Sequence, residues 1–293
     1  MKALLAVGTI VFILLLSACA TGVAEFQLYG AAFDTQYVEG AKVFDRLAAA
    51  ERTVAKRMLK PKAGIADFDP NQAANYLQVG DPPLTGAMRA SLGAALHYNQ
   101  ALSGLATGEA TVALTNRLST AATSLGGSAS AIAGAAGFDL AVTPLLTSAI
   151  GKVLPIFEML SKISNRIEFR QQLVLAYPDI RSLLVTLRNG TKDMFELMQR
   201  SYVIRSSLAG TDGVSNENLK KLEADRALLA GWVILLDRTI VAMDSAILAI
   251  AEGESSADLA GLVDGFARAM PAEPGVWDEL RDEAGALRPA WAE

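Results

Sequence analysis

Between Asn216 and Ala251 the chain carries Leu219, Leu222, Leu229, Val233, Leu236, Ile240, Met243, Ile247 and Ile250 at alternating steps of three and four, with Arg226 the single break. That spacing puts every apolar residue on one side of a helix, and the side must be buried against another helix. Glu223, Asp225, Asp237, Arg238 and Asp244 fall off the stripe, which predicts one packed face and one face in water. The same alternation runs through Phe26, Gly30, Phe33, Tyr37, Gly40, Phe44, Leu47, Glu51, Val54 and Met58. Two glycines on that seam predict close helix approach, since glycine otherwise costs about 1 kcal/mol in a helix interior relative to alanine. Strict period-two alternation is scarce, so the fold class read from the pattern is all-α: an elongated antiparallel bundle of long helices with coiled-coil-like packing. Composition agrees, because 52% of the residues are hydrophobic but only 6% are aromatic, which suits helices packed closely through small aliphatic side chains.

The breakers divide the rest. Lys60-Pro61-Lys62 ends the first seam, and residues 61–83, with Gly64, Pro70, Gly80, Pro82 and Pro83, read as a loop region holding one short helix capped by Asp69. Regular structure resumes near Leu84. A helix is expected from Pro178 to about Leu208, with Pro178 in its first turn and Asp179 where a negative charge suits the helix dipole. Gly210-Thr211-Asp212-Gly213 turns it into the heptad helix, so the two should lie antiparallel. Ser255 with Asp258 resembles a capping box that starts a last short helix near Ser256. After Met270 the chain is proline-rich and acidic, with Trp277 and Trp291 available for docking.

From Leu118 to Gly151 Asp139 is the only charged residue, and Ala, Gly, Ser and Thr crowd the segment. A helical hairpin turning near Gly134 to Gly137 accounts for it. Such a hairpin is either buried by its neighbours or inserts into a membrane, as the apolar hairpins of α-helical pore-forming toxins do. Small residues permit tight packing in both settings. Leu140 to Gly151 contains Pro144 and falls short of bilayer length, which favours a buried hairpin.

The N-terminus reads as a targeting segment rather than as structure. Lys2 precedes an apolar run from Ala3 to Leu16, too short for the roughly 20 residues that span a bilayer. Leu16-Ser17-Ala18-Cys19 follows and resembles the lipobox of bacterial lipoproteins. The resemblance covers residues 1–19. It implies that Leu16, Ser17 and Ala18 are the signal-peptidase recognition residues, that diacylglycerol is added to the Cys19 thiol, and that cleavage frees the Cys19 amine for a further acyl chain. Two or three chains hold a protein on a membrane, because each buried methylene contributes about 0.8 kcal/mol. Ala20 rather than aspartate after the cysteine implies, by analogy with enterobacterial sorting, the outer membrane. Cys19 is the chain's one cysteine, so disulfides within the chain are excluded.

The organisation expected is therefore a leader over 1–18, a helical bundle domain over 19–270 and a tail over 271–293. Removing Lys2 with the leader takes the net charge from -5 to about -6, opposite to what a nucleic-acid partner requires.

Catalytic chemistry has few footholds. His97 is the single histidine, so multi-histidine metal motifs are excluded, and on a helix through Leu92, Ala95, Leu96 and Leu102 it reads as a structural residue. Tyr98 and Asn99 beside it mark no motif. Gly151-Lys152 fails as a phosphate loop because Val153 stands where Ser or Thr is needed and Leu146 where the first glycine belongs. Glu158 and Glu168 are acids that a glycosidase could pair, but nothing beside them marks a polar cleft. Asn189-Gly190-Thr191 matches a glycosylation sequon and reads as a turn or helix break.

No catalytic residue, metal or cofactor is therefore expected. The expected role is structural or interactive, in the cell envelope. Its partners are a membrane, through the lipid on Cys19, and an envelope protein or a second copy. A membrane-active hairpin over about 118–160 and an envelope enzyme using carboxylates are the alternatives.

Overall fold

A computed structural model describes residues 37–38, 40–57, 80–134, 140–208 and 215–252. Every regular element among them is an α-helix, and the protein is an all-α bundle. In chain order these are α1 (40–57), α2 (Pro83–Ala106), α3 (Thr111–Gly134), α4 (Val142–Leu160), α5 (Arg166–Leu175), α6 (Tyr177–Asn189), α7 (Thr191–Leu208) and α8 (Asn216–Glu252). Helix α2 packs on α3, α3 on α4, α4 on α6, and both α6 and α7 on α8. One contiguous apolar cluster from Val43 to Ile247 fills the space between them.

Over the described residues the two seams fall largely where the periodicity puts them, with Tyr37 and Val233 half-buried, while Phe26, Gly30, Phe33 and Met58 lie outside the described residues. Gly40, Phe44, Leu47, Glu51 and Val54 on α1 are all buried, as are Leu222, Leu229, Leu236, Ile240, Met243 and Ile247 on α8. Leu219, at the start of the α8 stripe, is exposed. At Gly40 the reason for glycine is contact. A Cβ there would lie 2.8 Å from Leu92 of α2 and 2.8 Å from the Trp232 ring of α8.

The polar contacts along α8 show its direction. Ser206 meets Asn218, Tyr202 meets Asp225, Arg188 meets Asp237 and Arg181 meets Asp244. Residue numbers fall on one side as they rise on the other, so α8 runs antiparallel to α7 and then to α6.

Three expectations need correction. The helix expected over Pro178–Leu208 is two helices, α6 and α7, joined at Gly190. Gly190 keeps an ordinary right-handed backbone, so conformational freedom is not its role. Instead, a Cβ at Gly190 would overlap Val142 at the start of α4. Gly190→Ala is accordingly expected to destabilise the fold by about 1–3 kcal/mol through overpacking, read as a lowered urea midpoint at unchanged slope.

Asp225 and Asp244, expected in water off the α8 stripe, are buried. The reason is that α8 is covered on more than its apolar stripe. Asp225 meets Tyr202 of α7 and Asp244 meets Tyr177 and Arg181 of α6.

The segment expected as a hairpin enclosed by its neighbours lies at the edge of the bundle. Leu114, Leu118, Ala121 and Leu125 on α3, with Leu146, Ile150, Val153 and Phe157 on α4, form its buried stripes. The opposite sides face out, with Ser119, Thr120, Thr123 and Ser124 on α3, and Leu145, Ser148, Gly151 and Lys152 on α4. Helix α4 also runs past Gly151 to Leu160, with Pro155 inside it. The short helix near Asp69, the Gly210–Gly213 turn, Ser255 with Asp258, Trp277 and Trp291 lie outside the described residues.

Candidate functional site

Helix ends leave backbone N–H and C=O groups without intrahelical partners, and here side chains from neighbouring helices meet several of them. Helix α2 opens on Pro82-Pro83 without a side-chain cap of its own. Glu51 of α1 supplies one, accepting from the Leu84 N–H at 3.0 Å, the Thr85 N–H at 2.9 Å and the Thr85 hydroxyl at 2.8 Å. Arg166 of α5 donates to the carbonyl oxygens of Leu105 and Glu109 at the other end of α2. Asp193 of α7 accepts from the Val142 N–H that opens α4, and Asn165 caps α5 through the N–H groups of Ile167 and Glu168.

The buried acids belong to the same scheme. The side chain of Glu51 is 0% exposed, and burial pushes its carboxyl above the usual range against the hydrogen bonds that hold it down. Asp244, 1% exposed, accepts from the Tyr177 hydroxyl at 2.5 Å and from Arg181 Nε at 3.0 Å; burial likewise raises its carboxyl. Asp225 accepts from the Tyr202 hydroxyl at 2.8 Å and lies 3.9 Å from Arg46. Burial, with the neighbouring Asp225, pushes the Tyr202 phenol up to about 12. Each acid is occupied by a helix end or by a phenol with a guanidinium. Perturbed groups of this kind accompany structural ion pairs as well as active sites.

The sequence-flagged residues do not converge. His97 is half-buried on α2, its Nδ1 has no hydrogen-bond partner, and burial, with Arg117 nearby, lowers its pKa so that it is neutral at pH 7. Asn99, two residues on, is buried, and neither of its amide atoms has a hydrogen-bond partner among the described residues. Glu158 and Glu168 are both exposed. Gly151 and Lys152 lie on the outer side of α4, and Asn189-Gly190-Thr191 forms the α6–α7 junction. No cluster of three His, Cys, Asp or Glu suited to a metal ion occurs among the described residues. Leu16, Ser17, Ala18 and Cys19 lie outside them.

A groove of about 370 Å³ lies where the α6–α7 junction meets the middle of α8. Leu229, Val233 and Phe195 supply its apolar floor, and Arg188, Lys192 and Arg226 its rim. The Arg226 guanidinium lies 5.3 Å from the centroid of the Phe195 ring, a cation–π contact. Thr191, 9% exposed, lines the groove, with its buried hydroxyl unpartnered. The signal for this site was present as the one break in the α8 stripe, Arg226, but its meaning depends on Phe195, which comes from another helix. No protein-family model, curated protein or solved structure matches the chain.

Proposed function

We propose that this protein is a lipid-anchored scaffold of the bacterial cell envelope, held by acyl chains on Cys19 and presenting its helical bundle for protein contacts. The observation that carries the reading is Leu16-Ser17-Ala18-Cys19 directly after a short apolar run, with Cys19 the one cysteine in the chain. The buried polar chemistry supports a non-catalytic role, because Glu51, Asp225 and Asp244 are used to join helices. The proposed place is the outer membrane, facing the periplasm, and the proposed partner is an envelope protein or a second copy.

Cys19→Ser removes the thiol that accepts lipid. The expected result is a shift of the protein from the membrane fraction to unprocessed or soluble forms, with an unchanged helical circular-dichroism spectrum. Cys19→Ser protein that stays in the membrane fraction, processed as before, rules the anchor out.

A second reading has one observation in its favour. Helix α4 has the length and composition to cross a membrane, only 33% of that stretch is buried, and Leu145 on its outer side is 59% exposed. In this reading the α3–α4 hairpin leaves the bundle edge and enters a bilayer. Dye release from vesicles of bacterial phospholipid by the full chain would favour it, with Leu145→Lys expected to abolish the release. Vesicles that stay sealed leave the scaffold reading in place.

A further inference from the structure

The groove at the α6–α7 junction sets three cations around an apolar floor. Arg188 and Lys192 come from the α6–α7 side and Arg226 from α8, while Phe195, Leu229 and Val233 form the floor. Arg188 pairs with Asp237 and Arg226 with Glu223, and neither acid lines the groove. All four of those side chains are close to half exposed or more. Pairs of that kind contribute about 0–1 kcal/mol and give way to an incoming anion at little cost. Lys192, exposed on the rim, makes no ion pair among the described residues. Thr191 beside it is 9% exposed and adds a hydroxyl without a partner among the described residues.

Rim and floor together select a ligand that carries both chemistries. A hydrated inorganic anion uses the rim and gains nothing from the floor, and a neutral hydrocarbon does the reverse. A molecule with an anionic head and an apolar tail gains charge-assisted hydrogen bonds from the one and apolar burial from the other. The Phe195 ring holds the Arg226 guanidinium 5.3 Å from its centroid, so cation and floor are already in place before a ligand arrives. Size narrows the class further. A volume of about 370 Å³ lies near the bottom of the roughly 300–1,000 Å³ range of small-molecule sites, which suits one aliphatic chain. A protein partner would need about 800 Å² on each side, far more than these few side chains offer.

We propose that this groove binds a single-chain anionic amphiphile, its carboxylate or phosphate head held by Arg188, Lys192 and Arg226 and its tail lying on Phe195, Leu229 and Val233. The ligand comes from water rather than from a bilayer. Rim and floor belong to one recess and take up head and tail together, whereas a lipid standing in a membrane offers its head alone. This inference goes beyond the scaffold reading and holds whether or not Cys19 is lipidated.

The test is calorimetric titration of octyl phosphate into the full chain in phosphatidylcholine nanodiscs, with empty nanodiscs as the blank. Saturable binding is expected, at least about tenfold tighter than that of inorganic phosphate or of octyl glucoside, each of which offers one half of the chemistry. Lys192→Glu with Arg226→Glu is expected to weaken octyl phosphate binding by at least about tenfold. Both residues are exposed, so the fold is expected to survive, which matching helical spectra and melts verify. Should that variant melt differently, Ala230→Trp, at an exposed lining position on α8, fills the groove without altering its charge and is expected to abolish binding. Octyl glucoside or inorganic phosphate binding as tightly as octyl phosphate overturns the proposal, as does an affinity that the rim and Ala230 substitutions leave unchanged. Association only with nanodiscs that contain phosphatidylglycerol overturns it in favour of bilayer docking. A response to an acidic leucine-containing peptide but none to octyl phosphate overturns it in favour of a protein partner.

Discussion

Asp244→Ala is expected to lower the folding free energy by about 3 kcal/mol, the low end of the roughly 3–5 kcal/mol seen when one partner of a buried ion pair is removed. The low end applies because the Arg181 side chain is 31% exposed and regains some water, whereas Asp244 is 1% exposed. The substitution leaves the fully buried Tyr177 hydroxyl without its carboxylate and Arg181 without its counter-charge, at the contact that joins α6 to α8. Urea unfolding followed by circular dichroism measures it, and a loss below about 1 kcal/mol would place Asp244 in water. Asp244→Asn keeps an acceptor for Tyr177 but removes the charge facing Arg181, so a smaller loss is expected.

Glu51→Ala is the second large effect. It removes the acceptor for two backbone N–H groups that open α2, both in buried surroundings. Each orphaned donor costs about 1–3 kcal/mol, so for the two a loss of about 2–6 kcal/mol is expected. The cap also carries a pH signature. Because burial raises the Glu51 carboxyl above its usual 4.5 in the folded protein, the native state holds its proton more tightly than the unfolded chain does. That group's contribution to stability therefore grows as pH falls through the folded value and is complete below about 4.5.

His97 acts in the opposite sense. Its depressed pKa makes the native state the weaker proton binder, so stability is lost as pH falls below 6.5. Comparison with Glu51→Gln removes the His97 background. The stability of the wild type relative to Glu51→Gln is expected to rise between pH 7 and pH 4.5, and a relative fall would contradict the burial of the Glu51 carboxylate.

Glu51 also marks what a sequence can and cannot convey. Its place on an apolar seam between Leu47 and Val54 was visible, and the seam is buried as its period requires. The reason for an acid there was not visible, because the two N–H groups it accepts from belong to residues 33 and 34 positions later. The α8 stripe fixed that helix nearly to the residue, from Asn216 to Glu252, since a long uniform period leaves little freedom at either end. Asp225 and Asp244 were misplaced for the complementary reason. Periodicity identifies the most apolar side of a helix, but it does not say how many neighbours cover the others.

Gly190 was legible as a break in meaning only. The Asn189-Gly190-Thr191 run signalled a turn or helix break, whereas the need for glycine there depends on Val142 arriving from α4. The groove was invisible for the same reason, since Phe195, Lys192 and Arg226 acquire a shared chemistry only when α7 meets α8. Its polar rim interrupts a stripe that periodicity alone treats as a flaw.

Whether a helical scaffold is carried on a lipidated Cys19 is decided by the intact mass of the protein purified from bacterial membranes. The expected mass is that of a polypeptide beginning at Cys19 with a diacylglyceryl group on its sulfur, with or without a further acyl chain on its amine. A polypeptide that begins at Met1, or one cut elsewhere with an unmodified Cys19 thiol, would contradict it.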